Sequence, residues 1–118
     1  MPNSRVIVLD PGHGGSNQGL NYEGFLEKDM TLSTANAVKA ELEKYEGVEV
    51  YITNPNKEDM SLEARAEYAK SKGANVVISL HFNMSEEHTM YGSEVWIPSK
   101  GLGYSQMHAL GDIFCDEF

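Results

Sequence analysis

A short apolar run, Val6-Ile-Val-Leu9, stops abruptly at Asp10-Pro11-Gly12, and a single His13 follows between glycines. β-branched and aliphatic residues without polar interruption read as a strand buried on both faces, and Pro with Gly reads as its end. This fixes the class of fold more than any other segment. A strand covered on both sides requires helices above and below a mainly parallel sheet. In such sheets ligands gather beyond the carboxyl ends of the strands, which is where His13 falls.

The rest of the chain alternates in the same sense. A glycine-rich loop runs from Pro11 to Phe25. A helix is expected from Glu27, with Leu32, Ala35, Val38, Leu42 and Tyr45 on one stripe and Gly47 beyond its end. Val48–Thr53 alternates as a half-buried strand. Ser61 is a suitable N-cap for a second helix over Leu62–Lys72, closed by Gly73. Asn75–Leu80 reads as a central parallel strand with His81-Phe-Asn83 at its tip. A further strand is expected at Gly92–Ile97. A last helix is expected near Leu102, with Met107, Leu110, Phe114 and Phe118 on one face. The resulting order, β-α-β-α-β-β-α, predicts an α/β fold with right-handed crossovers. We find no repeat and no internal boundary, so residues 1–118 are expected to form one domain.

Composition narrows the partners. The chain has 118 residues, a formal charge of −9 and a pI near 4.8. An acidic surface argues against nucleic acid and against electrostatic attachment to anionic membranes or walls. No segment is apolar enough for membrane insertion, and no signal peptide is visible. The lone Cys115 excludes an internal disulfide and a cysteine-rich metal site. It is expected to be a partly buried free thiol without a nucleophilic role. Any metal must be held by histidine and carboxylate.

Three such groups converge in this topology: His13 after the first strand, Glu27 opening the first helix, and His81 after the third strand. Two imidazoles and one carboxylate, with water completing the shell, form a catalytic zinc set. Read singly, each has a plainer role: a turn histidine, a helix-start carboxylate favoured by the dipole, and a strand-end histidine.

The segments Val-Leu-Asp10-Pro-Gly-His13-Gly-Gly, Gly24-Phe-Leu-Glu27-Lys-Asp, Ser61-Leu-Glu-Ala-Arg65, Ile-Ser79-Leu-His81-Phe-Asn83 and Gly92-Ser-Glu94-Val together resemble the zinc-dependent N-acetylmuramoyl-L-alanine amidases of cell-wall hydrolases and phage endolysins. The resemblance implies one Zn2+ held by His13, Glu27 and His81. It also implies cleavage of the amide between N-acetylmuramic acid and L-alanine of peptidoglycan, at the bacterial cell wall. Asp10 and Asn83 would support the ligands from outside the first shell, or serve as plain turn and strand-end residues. Arg65 matches a family position, with a surface ion pair as the simpler role.

The resemblance also sets expectations about what is missing. Family members continue into a further strand whose loop carries a glutamate general acid/base, and this chain shows no counterpart. It is therefore expected to be C-terminally short of the family fold, without its last strand and helix. Glu94 is a weak substitute, equally readable as a cross-strand surface carboxylate. Loss of such a base lowers rates by about 10²–10⁴, so a catalytically impaired zinc domain that binds peptidoglycan or regulates another hydrolase is the alternative. The apolar face of the last helix and an unpaired sheet edge predict self-association. His88 and His108 are expected at the surface, and Trp96 in the core.

Overall fold

In the computed structural model the described residues are 4–56, 58–84, 87, 89 and 92–117. They fall into two compact units, residues 1–83 and 84–118. The first unit contains β1 (Arg5–Pro11), β2 (Asn21–Tyr22), β3 (Phe25–Leu26), α1 (Glu27–Leu42), β4 (Val48–Ile52), α2 (Leu62–Ser71) and β5 (Val76–Leu80). The second contains α3 (Tyr104–Glu117).

β1, β4 and β5 form a parallel sheet in the order β4-β1-β5. The uninterrupted apolar run of β1 is explained by this central place, where Val8 and Leu9 are fully buried. Alternate residues of β1 point to opposite faces. Leu9 lies in a core with Leu32 and Ala35 of α1 and Val50 and Ile52 of β4. Val8 and Asp10 face the other way, toward α2, whose Arg65 reaches Asp10. Helices thus cover both faces, as the sequence predicts.

The caps are those the residues dictate. Ser61 Oγ accepts from the Ala64 amide at 3.1 Å at the start of α2, and Gly47 and Gly73 follow helix ends with positive φ. Val38 and Leu42 pack on the core, but Tyr45, beyond the end of α1, is exposed.

Four expectations are corrected. Asn75–Leu80 does not supply the central strand: among the described residues β5 pairs only with β1, and its burial alternates, leaving Val77 54% exposed. Gly92–Ile97 forms no strand among the described residues. Its alternation serves a helix instead of a ladder, since Val95 and Ile97 lie against buried Gly111 of α3. Trp96, on the opposite side of that alternation, is therefore exposed and not in the core. Cys115 is exposed, not partly buried.

Within the glycine-rich loop, β2 and β3 form a small antiparallel hairpin. Glu23 and Gly24 both have positive φ, 51° and 88°, the backbone of a tight primed turn. In α3, Met107, Leu110 and Phe114 share a half-buried stripe, and His108 is at the surface beside Asp112, as expected. His88 and Phe118 lie outside the described residues. No helix among the described residues is long and apolar enough to cross a membrane.

Candidate metal centre

His13, Glu27 and His81 come together beyond the carboxyl ends of β1 and β5. Each offers one ligand atom, and these atoms lie within 4.8 Å of one another. Glu27 sits between the imidazoles: Oε2 is 3.1 Å from His13 Nε2, and Oε1 is 3.3 Å from His81 Nδ1. The two rings meet edge to face, with centroids 5.1 Å apart. These spacings approach the edge of a tetrahedron of ligands about 2.0–2.1 Å from a zinc ion, roughly 3.3–3.4 Å. Two nitrogens and a carboxylate oxygen are also the donor chemistry such an ion takes. Burial is graded, with the Glu27 side chain 5% exposed, His13 23% and His81 53%, so the cluster opens to solvent on the His81 side.

Glu27 is fixed by a reciprocal pair with Leu20. The Glu27 amide donates to the Leu20 carbonyl at 2.8 Å, and the Leu20 amide donates to Glu27 Oε2 at 2.9 Å. The Phe82 amide donates to Oε1 at 3.0 Å. As the first residue of α1, Glu27 also lies at the positive end of the helix dipole. Burial pushes its carboxyl up. The two amide donors and the imidazole charges outweigh that, and the group lies below its ordinary value of 4.5. It is a carboxylate at neutral pH.

His13 adopts φ 68°, a conformation L residues rarely take. The loop that imposes it is saturated with hydrogen bonds. Arg65 Nη1 donates to the Pro11 carbonyl and Thr31 Oγ1 to that of Gly12, both at 2.8 Å. Arg65 Nη2 donates to the His13 carbonyl at 2.8 Å, and the Asn17 amide to that of Gly14 at 2.9 Å. Lys28 Nζ donates to the Gly15 carbonyl at 2.9 Å. Asp59 receives the Ser16 amide and hydroxyl at 2.9 and 3.0 Å. The ring is oriented by Asn17, whose Oδ1 is 3.0 Å from His13 Nδ1. With Nδ1 occupied by Asn17, Nε2 is the ring nitrogen turned toward Glu27 and the one available to a metal.

Two glycines make room. A Cβ on Gly12 would lie 2.3 Å from His81 Cε1. A Cβ on Gly19 would lie 2.5 Å from His13 Cδ2 and 2.6 Å from Glu27 Oε2.

Asp10 is not a ligand-shell group in direct contact with the three. It is the buried hub beneath them, receiving Arg65 Nη1 at 2.8 Å, Thr53 Oγ1 at 2.7 Å and Ser79 Oγ at 2.9 Å. Arg65 is 8% exposed, so the surface ion pair is excluded. Asn83 is exposed, two residues beyond His81. Glu94 lies in the second unit, in the irregular segment before α3. Sequence reasoning missed Asn17, Thr31 and Lys28. Their only signal is place: Asn17 within the glycine loop, and the other two one helical turn or less beyond Glu27.

Fold and cluster together define an α/β protein with a site able to hold one metal ion by two imidazoles and a carboxylate. The profile of the family described as N-acetylmuramoyl-L-alanine amidase matches residues 7–118, and the chain belongs to that family. The chain is 40% identical over 78 residues to N-acetylmuramoyl-L-alanine amidase CwlM of Bacillus licheniformis, covering 65% of this chain and 31% of the relative. It is 34% identical over 104 residues to a probable N-acetylmuramoyl-L-alanine amidase, AmiB, of Haemophilus influenzae, covering 86% and 24%. Among solved structures it is similar to the N-acetylmuramoyl-L-alanine amidase of Clostridium difficile 630, with TM-score 0.80 and 29% identity over 88% of this chain and 57% of that one. The chain thus spans a third or less of the length of these curated relatives.

Proposed function

We propose that this chain carries the zinc site of a peptidoglycan amidase and contributes to hydrolysis of the amide between N-acetylmuramic acid and L-alanine. The observation that carries the reading is the Glu27 carboxylate held between His13 and His81 at the carboxyl edge of a parallel sheet. Family membership supplies the substrate class, and the donor set favours one Zn2+. When bound, that ion supplies Lewis acidity toward an amide carbonyl and lowers the pKa of water.

The chain's own residues prepare this. Glu27 arrives ionised because the Leu20 and Phe82 amides compensate its burial. Asn17 Oδ1 lies against His13 Nδ1 and leaves Nε2 as the nitrogen turned to Glu27. The exposed His81 side leaves an approach for an extended substrate. Asp10 supports the ligands from below through Arg65, and Asn83 is assigned an outer supporting place next to His81. The place of action is the cell wall, where amidases of this family find their substrate.

The deciding experiment incubates zinc-loaded protein with purified peptidoglycan and assays new N-terminal L-alanine. Release that is lost in Glu27→Gln and His13→Ala supports hydrolysis. Protein that sediments with walls and holds zinc, yet releases no alanine amine, refutes turnover by this chain and leaves a wall-binding domain.

A further inference from the structure

We infer that Arg65 is a positioning residue for the metal centre, holding His13 in its strained backbone conformation through the two carbonyls that flank the Pro11–His13 turn. The inference rests on the zinc reading above.

Arg65 lies on α2, outside the segments that carry the three ligands, and is 8% exposed. Buried guanidinium is costly unless its donors are all engaged. Nε donates to the Met60 carbonyl at 3.1 Å. Nη1 donates to Asp10 Oδ1 and to the Pro11 carbonyl, both at 2.8 Å. Nη2 donates to the His13 carbonyl at 2.8 Å. One rigid fork therefore ties the start of α2 to the end of β1 and to the peptide group of a candidate ligand itself.

Asp10 fixes the fork in turn. Its carboxylate is shared among Arg65, Thr53 at the end of β4 and Ser79 of β5. All three parallel strands thus converge on one carboxylate, and the guanidinium carries their registration to His13. Without the bond to its carbonyl, His13 loses its direct tie to α2 and can relax from φ 68° toward the ordinary region. Such a relaxation swings the ring, because the Cα–Cβ direction turns with the backbone. Nε2 then leaves the 3.1 Å contact with Glu27.

Lysine is the informative substitution. It keeps the charge beside Asp10, but one ammonium on a flexible stem cannot span a carboxylate and two carbonyls two residues apart. Loss of a group that orients a ligand costs about 10–100-fold in metal affinity.

The test measures Zn2+ affinity by competition with a chromophoric chelator, beside the thermal midpoint and the His13 ring 15N spectrum of zinc-free protein. For Arg65→Lys we expect a folded zinc-free protein, roughly 10–100-fold weaker Zn2+ binding, and loss of the single His13 tautomer signature. Val50→Ala, in the core on β4, is expected to lower the midpoint and leave Zn2+ affinity unchanged. Affinity of Arg65→Lys within twofold of the parent, or equal weakening in Val50→Ala, overturns the inference. If Arg65→Lys does not fold, Asp10→Asn is read instead: several-fold weaker binding supports the inference and unchanged affinity overturns it. If the parent binds no Zn2+, the zinc reading fails. The ring spectrum then decides the positioning role alone, with an unchanged tautomer in the variant refuting it.

Discussion

Gly19→Ala separates backbone strain from crowding at the metal centre. Gly19 has φ +68, and a Cβ there would sit 2.5 Å from His13 Cδ2, 2.6 Å from Glu27 Oε2 and 2.8 Å from Glu27 Cβ. Two penalties arise. The left-handed backbone costs an alanine about 1–2 kcal/mol. Overpacking costs about 1–3 kcal/mol more if the neighbours hold their places. The first penalty is the same with and without metal and cancels from affinity. The second does not cancel, because metal-free His13 and Glu27 can move apart while the ligated pair cannot. The crowding term alone therefore predicts Zn2+ binding weaker by about 5- to 150-fold, at 1.4 kcal/mol per tenfold. Gly24→Ala is the matched control: φ is +88 and nothing lies within 4 Å of the added Cβ. It should lower stability by the backbone term and leave affinity alone. Isothermal titration of metal-stripped proteins with Zn2+ reads the difference. Equal affinities for parent and Gly19→Ala, or equal losses in the two variants, would refute the reasoning.

Three further outcomes are expected. Asn17→Ala should weaken Zn2+ binding about tenfold with little change in thermal midpoint, because the ring loses its Nδ1 partner but the loop keeps its backbone bonds. Asp59 lies below its ordinary value of 3.8, chiefly through the Ser16 hydroxyl. A lowered carboxyl stabilises fully above its unfolded pKa and loses that contribution as pH falls through the folded one. The stability gap between parent and Asp59→Asn should thus be wide at pH 5 and close below about pH 4, by urea unfolding at each pH. Among the described residues β5 pairs along one edge alone, which predicts concentration-dependent association; a clean monomer by light scattering at high concentration would count against it.

The residues that were legible in advance are those whose type restricts their chemistry. His13 and His81 follow apolar strands, and Glu27 opens an amphipathic helix, so chain order alone brings them to one edge. The groups that hold them were not legible. Thr31, Lys28 and Asn17 act on backbone carbonyls or on a ring nitrogen, and such bonds depend on where a glycine-rich loop turns. Arg65 was visible as a motif member, but its burial goes with its bonds to Asp10 and to the Pro11 and His13 carbonyls, which the sequence does not show. Gly92–Ile97 misled because alternation reports one buried face without saying what covers it, and here that cover is α3. Asn75–Leu80 misled in a related way: its apolar composition suits a central strand, while the described sheet ends at it.

X-ray absorption at the zinc edge of stoichiometrically loaded protein, with direct metal counting, reads whether His13, Glu27 and His81 hold one ion. We expect one Zn2+ per chain, nitrogen and oxygen neighbours at about 2.0–2.1 Å with imidazole scattering, and no sulfur near 2.3 Å. We also expect loss of that zinc in His13→Ala, Glu27→Gln and His81→Ala. A protein that takes up no Zn2+, or one that retains it undiminished in all three variants, would contradict the account.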